Sequence, residues 1–273
     1  MSEPPDTADG TNVGRLAYLP VSLFGAVVAL SGMTLAWRLA ATEWELPAWV
    51  GEALGLLAAG AFVVLMLAYG IKCVQSPAAM RAEFAHPVAA TFFATPIISL
   101  LLLPAVVAPY AVAVANALWV TGTMAMIGFP SWIVSGWTSV PQQVAHATPA
   151  WMVPVVGALN IAIAGVDMDV PGAQAIDLFA SSLFYLAVFM FMVLVPKLLR
   201  LRSSSPFGLS WWPVGFPLAA MTNASLKFVI HRPSWSAHAF ALAMLASTTF
   251  VTLSLSVRTI MGIIRGNLRA LTS

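Results

Sequence analysis

The stretch HPVAATFFATPIISLLLL, residues 86–103, has the length and apolarity of a membrane-spanning segment. It places Pro87 at its start, Phe92 beside Phe93, and Pro96 within the apolar run. A proline inside a helix removes a backbone hydrogen bond and costs about 3 kcal/mol. Distorted helices are tolerated at membrane depth where neighbouring protein or a water-filled cavity satisfies the freed backbone groups. The stretch therefore predicts a membrane helix that faces protein or a cavity as well as lipid.

The composition places the whole chain in a membrane. Of its 273 residues, 60% are hydrophobic and 8% are charged, and the mean hydropathy is +0.90. A soluble domain carries about 25% charged residues, so this chain has too few to cover its surface in water. A membrane β-barrel would require alternating apolar and polar residues, a pattern that the sequence lacks. The predicted fold class is therefore an all-α polytopic membrane protein.

Eight apolar stretches approach or exceed the length of about 20 residues that a helix needs to cross a bilayer. They lie at 21–40, 50–71, 88–107, 111–134, 151–166, 174–195, 212–229 and 238–257. Their connections are short, which predicts four helical hairpins in one transmembrane domain, residues 19–266. The polar residues 1–18 lack the features of a signal peptide and predict a disordered tail. Residues 267–273 are expected to form a cytoplasmic C-terminal tail.

Basic residues concentrate on one side of this predicted topology. That side carries both termini and the residues Arg15, Lys72, Arg81, Lys197, Arg200, Arg202, Arg258, Arg265 and Arg269. Lysine and arginine accumulate on the cytoplasmic side of membrane proteins. We therefore expect a multi-pass protein of the cell (inner) membrane with both termini in the cytoplasm. The net charge of +2 does not indicate nucleic-acid binding, because no basic stripe or binding motif accompanies it.

Prolines recur near the start of the odd-numbered spans. Intervals of 67, 62 and 64 residues separate Pro20, Pro87, Pro149 and Pro213. A fixed period of this length indicates a repeated structural unit, here one hairpin with its loops. The predicted helix kinks are these four prolines together with Pro96, Pro154 and Pro217. The phase of the repeat predicts that odd helices form an inner layer and even helices an outer one, although proline is common in membrane helices generally.

Four stretches in the odd spans resemble the tellurite-resistance/dicarboxylate transporter family, which includes the bacterial protein TehA and the plant slow anion channels. They are PVSLFGAVVALSGMTLAW (20–37), MRAEFAHPVAATFFATPIIS (80–99), TPAWMVPVVGALNIAIAG (148–165) and WWPVGFPLAAMTNAS (211–225). The resemblance implies hairpins around a central pore lined by the odd helices, a homotrimer, and passive movement of small anions. It also implies a pore gate at Phe216, on the last inner helix. Family members typically have five hairpins, so this chain, with four, resembles a shortened member.

Polar and aromatic residues of the inner helices are the candidate pore-lining residues. They are Phe24, Phe92, Phe93, Asn160, Thr222 and Asn223. Hydroxyl and amide groups can donate hydrogen bonds to an anion without trapping it, or can bond to their own or a neighbouring helix. Lys227, near the end of the seventh span, is the candidate charge at the pore mouth. The alternative for this lysine is extension to the membrane interface.

Catalytic and metal-binding patterns are missing from the sequence. The four histidines lack zinc-like spacing, and there is no glycine-rich nucleotide loop. We therefore expect neither an enzyme nor a protein with a cofactor.

The expected function is a channel or facilitator for small anions, gated by the phenylalanine. Its substrates would be inorganic anions, oxyanions such as sulfite or tellurite, or C4-dicarboxylates. Two alternatives stay open: a proton-coupled exporter of dicarboxylates or oxyanions, and a non-conducting shortened relative that acts as an assembly or regulatory partner. The expected partners are the anion, the lipid bilayer and further copies of the chain.

Overall fold

The computed structural model describes residues 16–139, 211–212, 215–231 and 233–265, together with residues 153, 157 and 160. The helices described in full are α1 (Phe24–Trp44), α2 (Ala48–Gln75), α3 (Pro77–Ala85), α4 (Ala94–Val107), α5 (Val112–Ser139), α6 (Gly215–His231) and α7 (Trp235–Ile264). Short 3-10 turns, Val21–Leu23 and Ala89–Phe93, precede α1 and α4. The described part of the chain contains no strand, which confirms the all-α class.

Within the described residues, five segments are long and apolar enough to cross a membrane. They are Val21–Trp44, Ala48–Gln75, Ala89–Val107, Val112–Ile133 and Trp235–Ile264, and they match the first four predicted spans and the last one. Helix α6 has 17 residues and matches the seventh. The fifth and sixth predicted spans lie outside the described residues, except for three positions. The chain is thus a polytopic membrane protein, and the number of eight spans stays a prediction.

The described helices pack as three hairpins with an inner and an outer member. Helix α1 packs against α2, α4 against α5, and α6 against α7, while α1 also contacts both α4 and α6. In the first and third spans 72% and 61% of the apolar segment is buried, against 11%, 22% and 28% in the second, fourth and last. Burial therefore alternates among these spans in the phase that the proline repeat predicts.

Small residues bring α1 and α6 into direct contact. A Cβ atom added to Gly32 would lie 2.7 Å from Cβ of Ala219, and one added to Gly215 would lie 2.7 Å from Cβ of Ala29. No ordinary side chain fits such a gap, so the two backbones approach as closely as small residues allow. From one pair to the other, residue numbers rise in the same direction on both helices, so α1 and α6 are parallel.

The third span begins with a 3-10 turn, and it also carries Pro104 inside α4. The 3-10 turn Ala89–Phe93 comes first, and Pro96 is then the third residue of α4. The first backbone N–H groups of a helix have no partner within it, so Pro96 avoids the cost of about 3 kcal/mol of an interior proline. Pro217 has the same position in α6, and Pro20 precedes the 3-10 turn of α1. Pro149, Pro154 and Pro213 lie outside the described residues.

Candidate functional site

Phe216 lies at the start of α6, which packs against α1 and α7. Its half-buried side chain packs against a core cluster that includes Val28 of α1, Ile98 of α4 and Met126 of α5. Val153, from the fifth predicted span, packs against the same cluster. The second residue of α6 therefore places an aromatic ring against a cluster whose members belong to the first two hairpins.

The other candidate phenylalanines have different neighbours. Phe24 is 2% exposed, and its ring meets that of Tyr69 on α2 edge to face, with centroids 6.2 Å apart. The ring of Phe93 contacts Tyr69 at 6.1 Å and Phe84 of α3 at 4.8 Å. Phe92 packs against the core cluster that contains Phe24. Phe24 and Phe93 thus make their ring contacts with α2 and α3.

The hydroxyl of Thr222 points from α6 toward α7. Its Oγ1 lies 2.7 Å from Oγ1 of Thr248, 2.9 Å from the carbonyl oxygen of Leu218 and 3.2 Å from that of Met244. Asn160 is buried, and its amide donates to the carbonyl of its own helical turn at 3.0 Å. Both side chains therefore bond to protein groups.

Asn223 joins α6 to α1. Its Nδ2 donates to the carbonyl oxygens of Gly32 and Ala219, each at 2.8 Å. The amide oxygen of Asn223 is buried and has no hydrogen-bond partner in the described part of the chain. An amide has two N–H donors, and both are occupied by backbone carbonyls.

One face of α6 carries an aromatic ring, an amide and a charge. Phe216, Ala220, Asn223 and Lys227 are spaced at i, i+4, i+7 and i+11, which places them on one side of a helix. All four are half-buried, and we call them the α6 stripe. At a rise of 1.5 Å per residue, Phe216 and Lys227 are about 16 Å apart along the helix. We call the membrane face where α1 begins the near face and the opposite one the far face, so Lys227 lies toward the far face.

A buried ion pair lies at the near face. Nζ of Lys72 is 2.6 Å from Oε2 of Glu83 and 2.6 Å from the carbonyl oxygen of Leu19. The hydroxyl of Tyr69 donates to the same carboxylate at 2.9 Å, and Oε1 of Glu83 accepts the backbone N–H of Val21 at 2.6 Å. We call these residues the near-face cluster. It holds the backbone at the start of the first inner helix against the α2–α3 connection.

A second ion pair lies at the far face. Nε and Nη2 of Arg38 lie 2.9 Å from the two carboxylate oxygens of Glu52, and Nη1 donates to the carbonyl of Ala105 at 2.7 Å. Tyr110 also donates to Glu52, and Val106 accepts from Arg38 at 3.4 Å. The hydrogen bond to Glu52 raises the pKa of the Tyr110 hydroxyl. Arg38 thereby satisfies carbonyls at the end of α4, which have no partner within that helix. These residues form the far-face cluster.

Sequence reasoning did not find these two clusters. Lys72 contributes to the prediction of orientation as a loop charge, yet it is 2% exposed. A buried lysine is costly unless it is paired and hydrogen-bonded. For the near-face cluster, the signal in the sequence is that a lysine ends one apolar stretch and a glutamate precedes the next.

These observations define a class of protein: a polytopic helical membrane protein whose first inner helix packs against two others. A family model described as voltage-dependent anion channel (SLAC1) matches residues 18–201, and the chain belongs to this family. The resemblance to the tellurite-resistance/dicarboxylate transporter family is thereby confirmed, and the matching family is described as one of anion channels, not of enzymes.

One relative has a longer chain. The S-type anion channel SLAH3 of Arabidopsis thaliana is 21% identical over 308 aligned residues, which cover 90% of this chain and 48% of the relative. The chain thus spans about half the length of the curated relative that it matches.

Proposed function

We propose that this chain forms a gated path for small anions and that Phe216 closes the path. The observation that carries the proposal is the packing of Phe216 against a core cluster whose members come from α1, α4 and α5, whereas Phe24 and Phe93 contact α2 and α3. An apolar constriction closes a pore by excluding water and presents no charge that would retain an ion. A phenylalanine packed against this cluster meets both requirements.

The α6 stripe supports a path along the inner side of this helix. Lys227 would bring positive charge to the far end of the stripe, where it attracts anions by long-range electrostatics. Phe92 and Asn160 are the proposed lining residues from other inner helices. Thr222 is the weaker candidate, because its hydroxyl already bonds to α7. A path with few fixed charges allows an anion to leave as readily as it enters.

The proposed substrates are inorganic anions, sulfite-like or tellurite-like oxyanions, and C4-dicarboxylates. The name of the plant relative, an S-type anion channel, supports the class of substrate. We further propose that the near face lies on the cytoplasmic side of the cell membrane, since lysine and arginine favour that side. We also propose that the chain forms a homotrimer. Exposed apolar side chains on α2, α5 and α7, such as Leu56, Ile127 and Phe250, offer surface to lipid or to neighbouring copies.

Anion flux into proteoliposomes tests the proposal. We expect uptake of at least one of chloride, nitrate, sulfite and malate, and we expect Phe216→Ala to raise it while the amount of folded protein stays the same. Phe240→Ala is the matched control, because it removes the same ring from α7, where the side chain is 46% exposed. The flux of this control should equal that of the unmodified protein.

Each alternative result supports a different conclusion about the gate or the function. Unchanged flux in Phe216→Ala, with an increase in Phe92→Ala or Phe93→Ala, would move the gate to the third span. No uptake of any of the four anions would favour a non-conducting assembly partner. Uptake that requires a pH gradient would favour the proton-coupled exporter.

A further inference from the structure

Asn223 is poorly suited to bind an anion directly, although it lies on the α6 stripe. Both of its N–H donors are used by the carbonyls of Gly32 and Ala219, each at 2.8 Å. The remaining polar atom is the amide oxygen, which only accepts hydrogen bonds and is buried without a partner among the described residues. An oxygen acceptor repels an anion, so the side chain needs another role.

The position of Asn223 indicates that role. Its hydrogen bond to Gly32 links residues 191 positions apart in the chain. This hydrogen bond reaches α1 at Gly32, the same glycine that Ala219 contacts. The neighbouring contact between the two helices pairs Gly215 with Ala29. Phe216 follows Gly215 directly in the chain. This short contact zone therefore fixes how far α6 is shifted along α1 and how α6 is rotated about its own axis. It thereby fixes the position of the Phe216 ring.

We infer that Asn223 is a positioning residue, whose hydrogen bond to Gly32 holds α6 in the arrangement that keeps Phe216 packed against the core cluster that contains Val28 and Ile98. The inference rests on the proposed function of Phe216 as the gate. Side-chain hydrogen bonds between membrane helices shift an equilibrium by about three- to tenfold. Loss of the bond should therefore release the ring from its closed position part of the time without unfolding the protein.

Anion flux in Asn223→Leu gives the first test. Leucine keeps the size of the side chain and removes both donors. We expect flux to rise about three- to tenfold, with an unchanged ratio of chloride to nitrate, and we expect no further rise when Phe216→Ala is already present. Thr248→Val is the matched control, because it removes an interhelical hydrogen bond of α6 on the α7 side.

Chemical labelling gives a second test that needs no ion flux. Cys73 is the single cysteine of the chain, so Cys73→Ser provides a background for Phe216→Cys. A charged, water-soluble thiol reagent should modify the thiol at position 216 faster when Asn223→Leu is added, and at an unchanged rate when Thr248→Val is added. Mass spectrometry measures both rates in the full-length protein.

The outcomes separate this inference from the proposed function. Faster labelling in a protein that passes no anion would support the positioning role and overturn the proposed function. Equal labelling rates with and without Asn223→Leu would overturn the positioning role even if anions pass. A changed ratio of chloride to nitrate, or a flux increase that persists beside Phe216→Ala, would also overturn it, because Asn223 would then act on the ion itself.

Discussion

The near-face and far-face clusters use the same three groups in different surroundings. Each combines one carboxylate, one basic side chain and one tyrosine, and each bonds to the backbone of an inner helix. In the near-face cluster the side chains of Lys72 and Glu83 are 3% and 13% exposed, whereas those of Arg38 and Glu52 in the far-face cluster are 21% and 40% exposed. The near pair holds the start of α1, and the far pair joins α1 and α2 to the end of α4.

The difference in exposure determines what each pair contributes. Removal of one partner from a buried pair leaves an uncompensated charge away from water, which is strongly destabilising. An exposed pair is solvated in both states and contributes little. We therefore expect the start of the first inner helix to be fixed firmly, and its far end to be held by weaker, salt-sensitive contacts.

The largest effect is expected at the near face. Glu83→Leu leaves the ammonium group of Lys72 buried and unpaired, and we expect a loss of about 3–5 kcal/mol in stability. Thermal unfolding of the protein in detergent measures the loss. The double variant with Lys72→Met should recover part of it, because no charge then remains buried. A double variant as unstable as the single one would show that the hydrogen bond to the backbone of Val21, and not the charge, dominates.

A smaller effect is expected at the far face. Arg38→Met leaves Glu52 without its basic partner at an exposed site, and we expect a loss of about 1–2 kcal/mol, mainly from the hydrogen bonds to the α4 carbonyls. The loss should shrink at 1 M salt, where the Debye length is about 3 Å, while that of Glu83→Leu should not. Unfolding at two salt concentrations measures both. An equal salt dependence of the two stability losses would contradict the expected difference between the buried and the more exposed ion pair.

The smallest effect is expected from Tyr110→Phe, which removes one hydrogen bond from the far-face cluster. The bond to Glu52 raises the pKa of the Tyr110 hydroxyl, so the protonated form is favoured in the folded state. Its contribution to stability is present below the unfolded pKa of about 10 and is lost as the pH rises through the folded value. The stability difference between the two proteins should therefore disappear at strongly alkaline pH. A difference that persists there would mean that the ring, and not the hydroxyl, matters.

The sequence predicted the features that depend on local pattern. Apolar length gave the all-α class, and the proline period gave the alternation of burial, because both depend only on the order of residues along the chain. The prediction that Pro96 lies in the interior of a helix was wrong. A 3-10 turn precedes α4, so Pro96 lies in the first turn of that helix. The boundary between two kinds of helix is set by packing, which a single apolar run does not reveal.

The clusters and the role of Asn223 could not be predicted in the same way. Lys72 and Arg38 find partners on other elements, and Asn223 finds Gly32 at a separation of 191 residues. The spacing of residues along the chain does not reveal contacts between distant segments. The assignment of Phe216 as the gate came from the resemblance and stays a proposal, and the fifth and sixth predicted spans lie outside the described residues.

The contact between α1 and α6 has a consequence for how the protein is made. A ribosome that adds about 5–20 residues per second needs roughly 10–40 s to progress from Gly32 to Asn223. Through that interval α1 is already synthesised, but the surface formed by Ala29 and Gly32 lacks its partner. We therefore expect assembly of the inner layer to end with the insertion of α6, and chains truncated before Gly215 to leave α1 with an uncovered small-residue face in the membrane.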